Sequence, residues 1–359
     1  MTPRSLAPVL LVCLLRPATA DERFDFGFSE GLHPIELGEG GHKAADPARC
    51  GTCHAQQYTD WHQSRHRVAH SNAIYQAGLI AEPQPFCVHC HSPDADQSAE
   101  VLQNLDWYRA QDPRESARGA TSDAKKPETS ADHGIHCAVC HFRDGQVLAP
   151  EVNGRAPHAS TAVREMLSGD FCAGCHQFRM PAFHNGALSL TDVEMQSTWS
   201  EWTAWGGKES CQDCHMPDGR HLFRGAHDRQ WLKQSVLVKA KLARETATFR
   251  MRSLGVGHHF PSGDLFRNLT LELKTGDDWA VIDRIGREFT LVMDEQTTEV
   301  SKELSRDTAL RPGEWREVST PAVAGQQWRL RYHYGSENDE HRGLLDPEEI
   351  VLTLLEGSL

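Results

Sequence analysis

Five copies of one pentapeptide stand out in the chain: CGTCH (50–54), CVHCH (87–91), CAVCH (137–141), CAGCH (172–176) and CQDCH (211–215). They use ten of the eleven cysteines, and the remaining one is Cys13. At this composition chance supplies about 0.02 such motifs, so five of them require one shared chemistry. Two thiols three residues apart can add to the two vinyl groups of one porphyrin, and the adjoining imidazole then reaches the iron. A zinc site would need two CxxC pairs, or one pair with two histidines, closing a single tetrahedron. A thioredoxin-like dithiol has no use for the histidine that follows every time. The expected cofactor is five covalently bound haem c groups with their iron. Cys50, Cys53, Cys87, Cys90, Cys137, Cys140, Cys172, Cys175, Cys211 and Cys214 would attach them. His54, His91, His141, His176 and His215 would be the proximal ligands.

Sixteen histidines remain, and their placement separates a carrier from a catalyst. A second imidazole saturates an iron for electron transfer, whereas a missing one leaves a position for substrate. His62, His66 and His70 are spaced by four in a stretch from Ala55 to Ala77 without Gly or Pro, so one helix face could present all three. They cannot all serve one iron. Met216 follows a proximal ligand and points badly for the same iron, while Met180 and Met195 read as packing residues.

The motif CxxCH-x3-Tyr-x2-Trp-x2-Ser-x-His, here Cys50 to His66, resembles the cytochrome c-554 type of multihaem cytochrome, related in haem packing to octahaem hydroxylamine oxidoreductases. FCAGCHQF (171–178), MQSTWSEW (195–202), CQDCHMP (211–217) and HLFRGAHD (221–228) are similar to its later motifs, and GHHFPSG (257–263) to an element that opens a β-domain in longer relatives. The resemblance covers residues 40–265 in patches. It implies His66, His227, His258 and His158 as distal ligands and leaves the fifth open between His133, His136, His42 and His184. His136 immediately precedes Cys137, which disfavours it for its own haem. The chain departs from the type in carrying five motifs rather than four or eight, and it has no CxxCK.

The elements that must hold these residues are an α+β arrangement. A helical, loop-rich domain with little regular sheet is expected over 21–230, packed around porphyrins that replace part of the aliphatic core. The hydrophobic share of 39% fits that substitution. Residues 94–132 are polar and rich in breakers apart from a short helix near 98–110, and read as a surface insertion. Trp199, Trp202 and Trp205 are expected to pack against porphyrin. From residue 231 to 359, alternating runs at 235–242, 246–254, 268–274, 287–293, 328–334 and 349–355 predict an antiparallel β-sandwich. Its expected role is to cap the haem domain and supply a distal histidine from its first loop.

Residues 1–20 combine Arg4, an apolar run from Leu6 to Leu15 and a small-x-small ending at Ala18-Thr19-Ala20, which predicts a secretory signal peptide. Its removal leaves 35 basic residues against 50 acidic ones, a net charge of −15. That balance disfavours nucleic acid and anionic membranes as partners, and no segment of the mature chain is apolar enough to span a bilayer. The expected protein is a periplasmic or extracellular electron carrier working between redox proteins. The alternatives are a multihaem oxidoreductase with one open haem, at 87–91 or 137–141, acting on a small nitrogen or sulfur compound, and a self-assembling cytochrome subunit joined through the β-domain.

Overall fold

Each CxxCH motif lies on or beside a short helix, because helical spacing puts residues i, i+3 and i+4 on one face. Three of these helices are Cys137–His141, Gly169–His176 and Cys211–His215, and a fourth, Pro85–His91, has proline in its first turn. The first motif is split: Pro47–Gly51 is capped by Asp46 and ends after Cys50, and His54 sits at the N-cap of Ala55–His62. Ser210 opens the fifth motif with a capping box to Asp213. The computed structural model of the chain describes residues 24–116, 125–152, 154–184, 187–293, 300–335, 345–346 and 350–359. The expected signal segment, 1–20, lies outside them.

The single helix expected from Ala55 to Ala77 does not form. It stops at His62, turns carry the chain to Ser71, and a second helix runs Ala73–Ala81 with Asn72 as its cap. His62, His66 and His70 therefore point to three different environments. Gly134 has φ +57°, and a Cβ there would run into the His66 carbonyl. The neighbouring Ile135 N–H donates to that carbonyl at 2.9 Å, and the Trp61 indole donates to Ile135 O at 2.8 Å. This close backbone crossing fixes the loop that carries His66.

Residues 95–116 form the helices Ala95–Leu102, Leu105–Ala110 and Pro113–Ser116, and they belong to the core rather than to a surface insertion. Val101 and Tyr108 are fully buried in a cluster with Tyr75, Leu79, Val88 and Ala131. Polar residues hide this burial in the sequence. Gln97 donates to Ser130 O at 2.9 Å and Ser98 to Ser92 O at 2.6 Å, so each keeps an internal partner although it is buried. The domain also holds more sheet than expected: Gln177–His184 and Ala187–Ser197 pair as a long antiparallel hairpin between the fourth and fifth motifs.

Beyond Gln234 the described chain is mainly strand. One antiparallel sheet has the order Val300–Asp307, Asp278–Met293, Asn268–Thr275, Gln327–His333, Val351–Ser358. A second has the order Arg316–Pro321, Thr246–Ser253, Val236–Ala243. Alternation selects which side chains face in. Ala247, Phe249 and Met251 of the second sheet share one apolar cluster with Leu269, Leu271, Leu273, Trp328, Leu330 and Tyr332 of the first. Each large member contributes about 1.5–3 kcal/mol by leaving water. No helix among the described residues is long and apolar enough to cross a membrane.

Candidate haem-binding chamber

A continuous cavity of roughly 1800 Å³ runs through the molecule. Both cysteines and the histidine of the first, third, fourth and fifth motifs line it, as do Trp199, Trp202 and Trp205 on the helix Thr198–Trp205. The second motif is set deeper: Cys90 lines a separate small recess together with Cys175 of the fourth motif. The motifs meet in a definite order. The Cys50 and Cys137 thiols are neighbours, which brings the first motif beside the third. The Cys172 and Cys211 thiols are neighbours too, which brings the fourth beside the fifth. Cys175 shares a recess with Cys90 and also feels Cys140, which places the fourth motif near the second and the third. All ten cysteines are free of disulfides, and among the described residues no three His, Cys, Asp or Glu side chains converge on a lone metal ion.

Four proximal histidines each face a second imidazole. Ring centroids lie 6.4 Å apart for His54 and His158, 6.2 Å for His176 and His66, 6.1 Å for His141 and His221, and 6.3 Å for His215 and His258. Metal–imidazole bonds of about 2 Å on each side, with the ring radii added, fill roughly this span. The rings are also oriented for such a metal. His91 Nδ1 bonds Ala69 O and His141 Nδ1 bonds Leu148 O, both at 2.8 Å, and His215 Nδ1 bonds Arg224 O. His221 Nδ1 meets Gly219 O at 2.9 Å and His258 Nδ1 meets His259 O at 2.8 Å. A carbonyl only accepts, so in each of these rings Nδ1 carries the proton and Nε2 is left as the free donor. His176 Nδ1 lies 3.1 Å from the Gln196 amide. This donor set fits five haems.

Burial drives the basicity of these rings down: His66 to about 3 and His176 to about 4, with neighbouring imidazoles as the second cause. Unprotonated imidazole is the form that binds a metal. Each partner reaches the chamber by its own device. His221 is held by Asp60, which is 2% exposed and accepts from Arg220 Nε at 2.6 Å and Nη2 at 2.7 Å and from the His221 N–H at 3.2 Å. His258 sits in the loop after the strand Thr246–Ser253. Glu201 of the tryptophan helix accepts there from the His259 N–H at 3.2 Å and Ser262 Oγ at 2.6 Å. Reciprocal bonds between Phe260 and Leu310 pin the same loop to the sheet region.

His227, expected as a distal ligand, lines the same chamber but is not paired with a proximal ring there. Its ring stacks on Tyr334 at 4.5 Å and 17°, and Arg65 and Arg267 act on it electrostatically. The histidine that the same HLFRGAHD stretch does bring to a proximal ring is His221, which sequence reasoning passed over. Of the four left open, His136 is buried with Nε2 on Asp94 at 3.1 Å, a link between the second and third motifs. Burial lowers the pKa of His133, which lies beside the Ala45 backbone. His42 is exposed, and the His184 side chain lies outside the described residues. Among the described residues His91 faces no second imidazole at the distance of the other four pairs. Tyr75 stacks flat against it at 3.9 Å, and Asp264 and Arg65 are the charged groups acting on it.

No family model matches the chain, and no curated protein matches it. Among solved structures the chain is similar to a penta-haem cytochrome c552 from Thermochromatium tepidum, with a TM-score of 0.57 and 22% identity over 86% of this chain and 97% of that one. At that identity the likeness is one of fold: nearly the whole of a protein that carries five haems is laid out as this chain is.

Proposed function

We propose that the chain is a pentahaem c-type cytochrome of the c-554 type that carries electrons between redox partner proteins. The observation that carries this reading is the set of four imidazole pairs, each joining a CxxCH histidine to one distant in sequence across 6.1–6.4 Å. Cys50, Cys53, Cys87, Cys90, Cys137, Cys140, Cys172, Cys175, Cys211 and Cys214 hold five haem c groups through thioethers. His54 with His158, His176 with His66, His141 with His221 and His215 with His258 close both sides of four irons. Haem supplies one-electron exchange between ferrous and ferric iron, at potentials that paired histidines lower relative to His/Met sites. The protein's part is to orient imidazoles through Nδ1, as at His141, His215, His221 and His258, to keep buried ones such as His66 and His176 unprotonated, and to bring the motifs together. The apolar run and small-x-small ending of residues 1–20 support secretion to the periplasm or beyond. The two sheets over 231–359 act as a sandwich that caps the haem domain and supplies His258.

A second reading rests on one specific observation: among the described residues His91 stacks on Tyr75 and has no imidazole paired with it as the other four proximal histidines do. An iron held there on one side only is open to a small molecule, and the chain then works as an oxidoreductase fed by the other four haems. The test of the main reading is the holoprotein made in a host that matures c-type cytochromes. Its mass and pyridine haemochrome spectrum should give five haems per chain, and a small electron-donor protein should reduce the low-spin haems reversibly. Fewer than five haems, or haems that no donor protein reduces, would sink it.

A further inference from the structure

The three-stranded sheet of the C-terminal region turns one face to the apolar core and the other outward. On the outward face the register sets Lys239 opposite Arg250, Leu237 opposite Arg252 and Lys241 opposite Thr248. Trp315, just before the strand Arg316–Pro321, lays its indole over this face. Lys239 Nζ stands 5.3 Å from the ring centroid, Arg250 Cζ 4.7 Å and Arg252 Cζ 4.8 Å. Four cations of the outward face thus share it with one strand carboxylate, Glu317, which meets Arg250 at 3.5 Å. Like charges directly opposite on a sheet oppose folding, and an indole offsets only part of that. Lysines on an edge strand guard it against pairing with another chain, which accounts for Lys239 and Lys241 on Val236–Ala243. It does not account for Arg250 and Arg252, which lie on the central strand Thr246–Ser253. Neither these four cations nor Trp315 lines the chamber, so a cofactor held there does not supply their counter-charge.

The strand that carries Arg250 and Arg252 leads straight to the fifth motif's imidazole pair. It runs on through Leu254, and the next residues, Gly255, Val256, Gly257 and His258, line the chamber. Leu254 N–H donates to Ser235 O at 2.9 Å, and Ser235 Oγ donates to Trp231 O at 2.9 Å. The Trp231 ring in turn meets His215 edge-on at 5.3 Å. Arg252 lies six residues before His258, at most about 21 Å of extended chain. The patch is also opposite in sign to the molecule, whose net charge is −13. We propose that Lys239, Lys241, Arg250 and Arg252, grouped around Trp315, are the docking surface for an acidic electron-transfer protein that exchanges electrons with the haem at Cys211–His215. This rests on the carrier reading above and adds to it the partner's charge and its point of entry. Arginine and tryptophan are the residues that most often anchor protein interfaces, and a local positive field on an acidic molecule decides where an acidic partner lands. Nearness to His258 favours a redox protein over a lipid surface, which gains nothing from it.

The probe is a reduced plant-type ferredoxin, a small acidic one-electron donor, mixed in stopped flow with the ferric holoprotein. Each ferredoxin cluster gives up one electron and one ferric haem becomes ferrous. The methyl viologen radical serves as the small-molecule control. Between about 20 and 300 mM salt the parent's second-order rate constant should fall roughly tenfold, because local attraction is screened. In K239Q/R250Q/R252Q the low-salt rate should drop about tenfold and then rise with salt, since two acidic proteins are left to repel. The Kd of oxidised ferredoxin, by isothermal titration at low salt, should rise by a similar factor, about tenfold. K239Q/K241Q, confined to an exposed edge strand, should show a smaller loss of the same kind, and it carries the test if the triple variant does not mature. Ferredoxin rates equal in parent and variants would overturn the proposal. Equal slowing with ferredoxin and viologen would overturn it too and assign the cluster to packing. So would a low-salt dimer, or binding to phosphatidylglycerol vesicles, that the variants lose while ferredoxin rates stay unchanged; the patch would then belong to a second copy or to a membrane. If ferredoxin never reduces the parent but a reduced basic low-potential cytochrome does, the proposal falls alone. If neither does while viologen does, the carrier reading falls with it.

Discussion

Replacing Asp60 by Asn removes one charge at the point that holds His221 in the chamber. Asp60 is buried and accepts four hydrogen bonds: two from Arg220, one from Gln56 at 2.9 Å and one from the His221 N–H. The Arg220 guanidinium is the largest of the causes that lower its pKa from 3.8 to about 2. That gap corresponds to roughly 2 kcal/mol of preference for the folded carboxylate. The Arg220 side chain is 46% exposed, so screening by solvent reduces the effect to about 1 kcal/mol. The sign follows from the depressed pKa: this stabilisation is complete above pH 3.8 and disappears as pH falls through about 2. D60N should therefore unfold about 1 kcal/mol more easily than the parent at pH 7, a shift of roughly 2 °C in midpoint. Matched thermal melts, read by far-UV circular dichroism and by the Soret band, should show the gap closing between pH 4 and pH 2. A gap of constant size across that range would refute the electrostatic account and leave Asp60 as a neutral hydrogen-bond acceptor.

Further outcomes follow from the same geometry. Alanine at His158, His66, His221 or His258 should each turn one low-spin haem high-spin, counted by EPR, whereas H227A should leave the low-spin count unchanged. Tyr108→Phe removes the partner of the buried His70 Nε2, 3.2 Å away, and should cost about 1–3 kcal/mol in denaturant melts. No change there would mean that the helices over 95–116 are less integral to the core than their burial implies. His259, drawn up in pKa first by its bond to Asp307, stabilises the fold below pH 6.5 and loses that effect as pH rises through its folded value. H259Q should thus be more destabilising at pH 6 than at pH 9 in the same melts.

The attachment residues were legible because thioether chemistry confines two cysteines and a histidine to five consecutive positions, and one helical turn suffices to present them. The alternating strands at 246–253 and 327–333 were legible for a similar local reason, their buried residues being every second one. The strands Val300–Asp307 and Arg316–Pro321 were missed because they lie at sheet edges and carry charged residues that obscure the alternation. The choice between His221 and His227 was beyond local sequence. Both lie in one loop six residues apart, and a carboxylate 161 residues away from His221 decides which one turns to His141. Gln97 and Ser98 misled in the opposite direction: polar side chains with internal partners made a core segment read as surface.

The proposed arrangement puts four irons between two histidines each and leaves the fifth, at His91, with histidine on one side only. A spin census of the as-isolated ferric holoprotein, by quantitative EPR with Mössbauer spectroscopy on iron-57-enriched protein, tests it most directly. The predicted result is four low-spin irons and one high-spin iron per chain. Five low-spin irons would contradict it, and so would two or more high-spin ones.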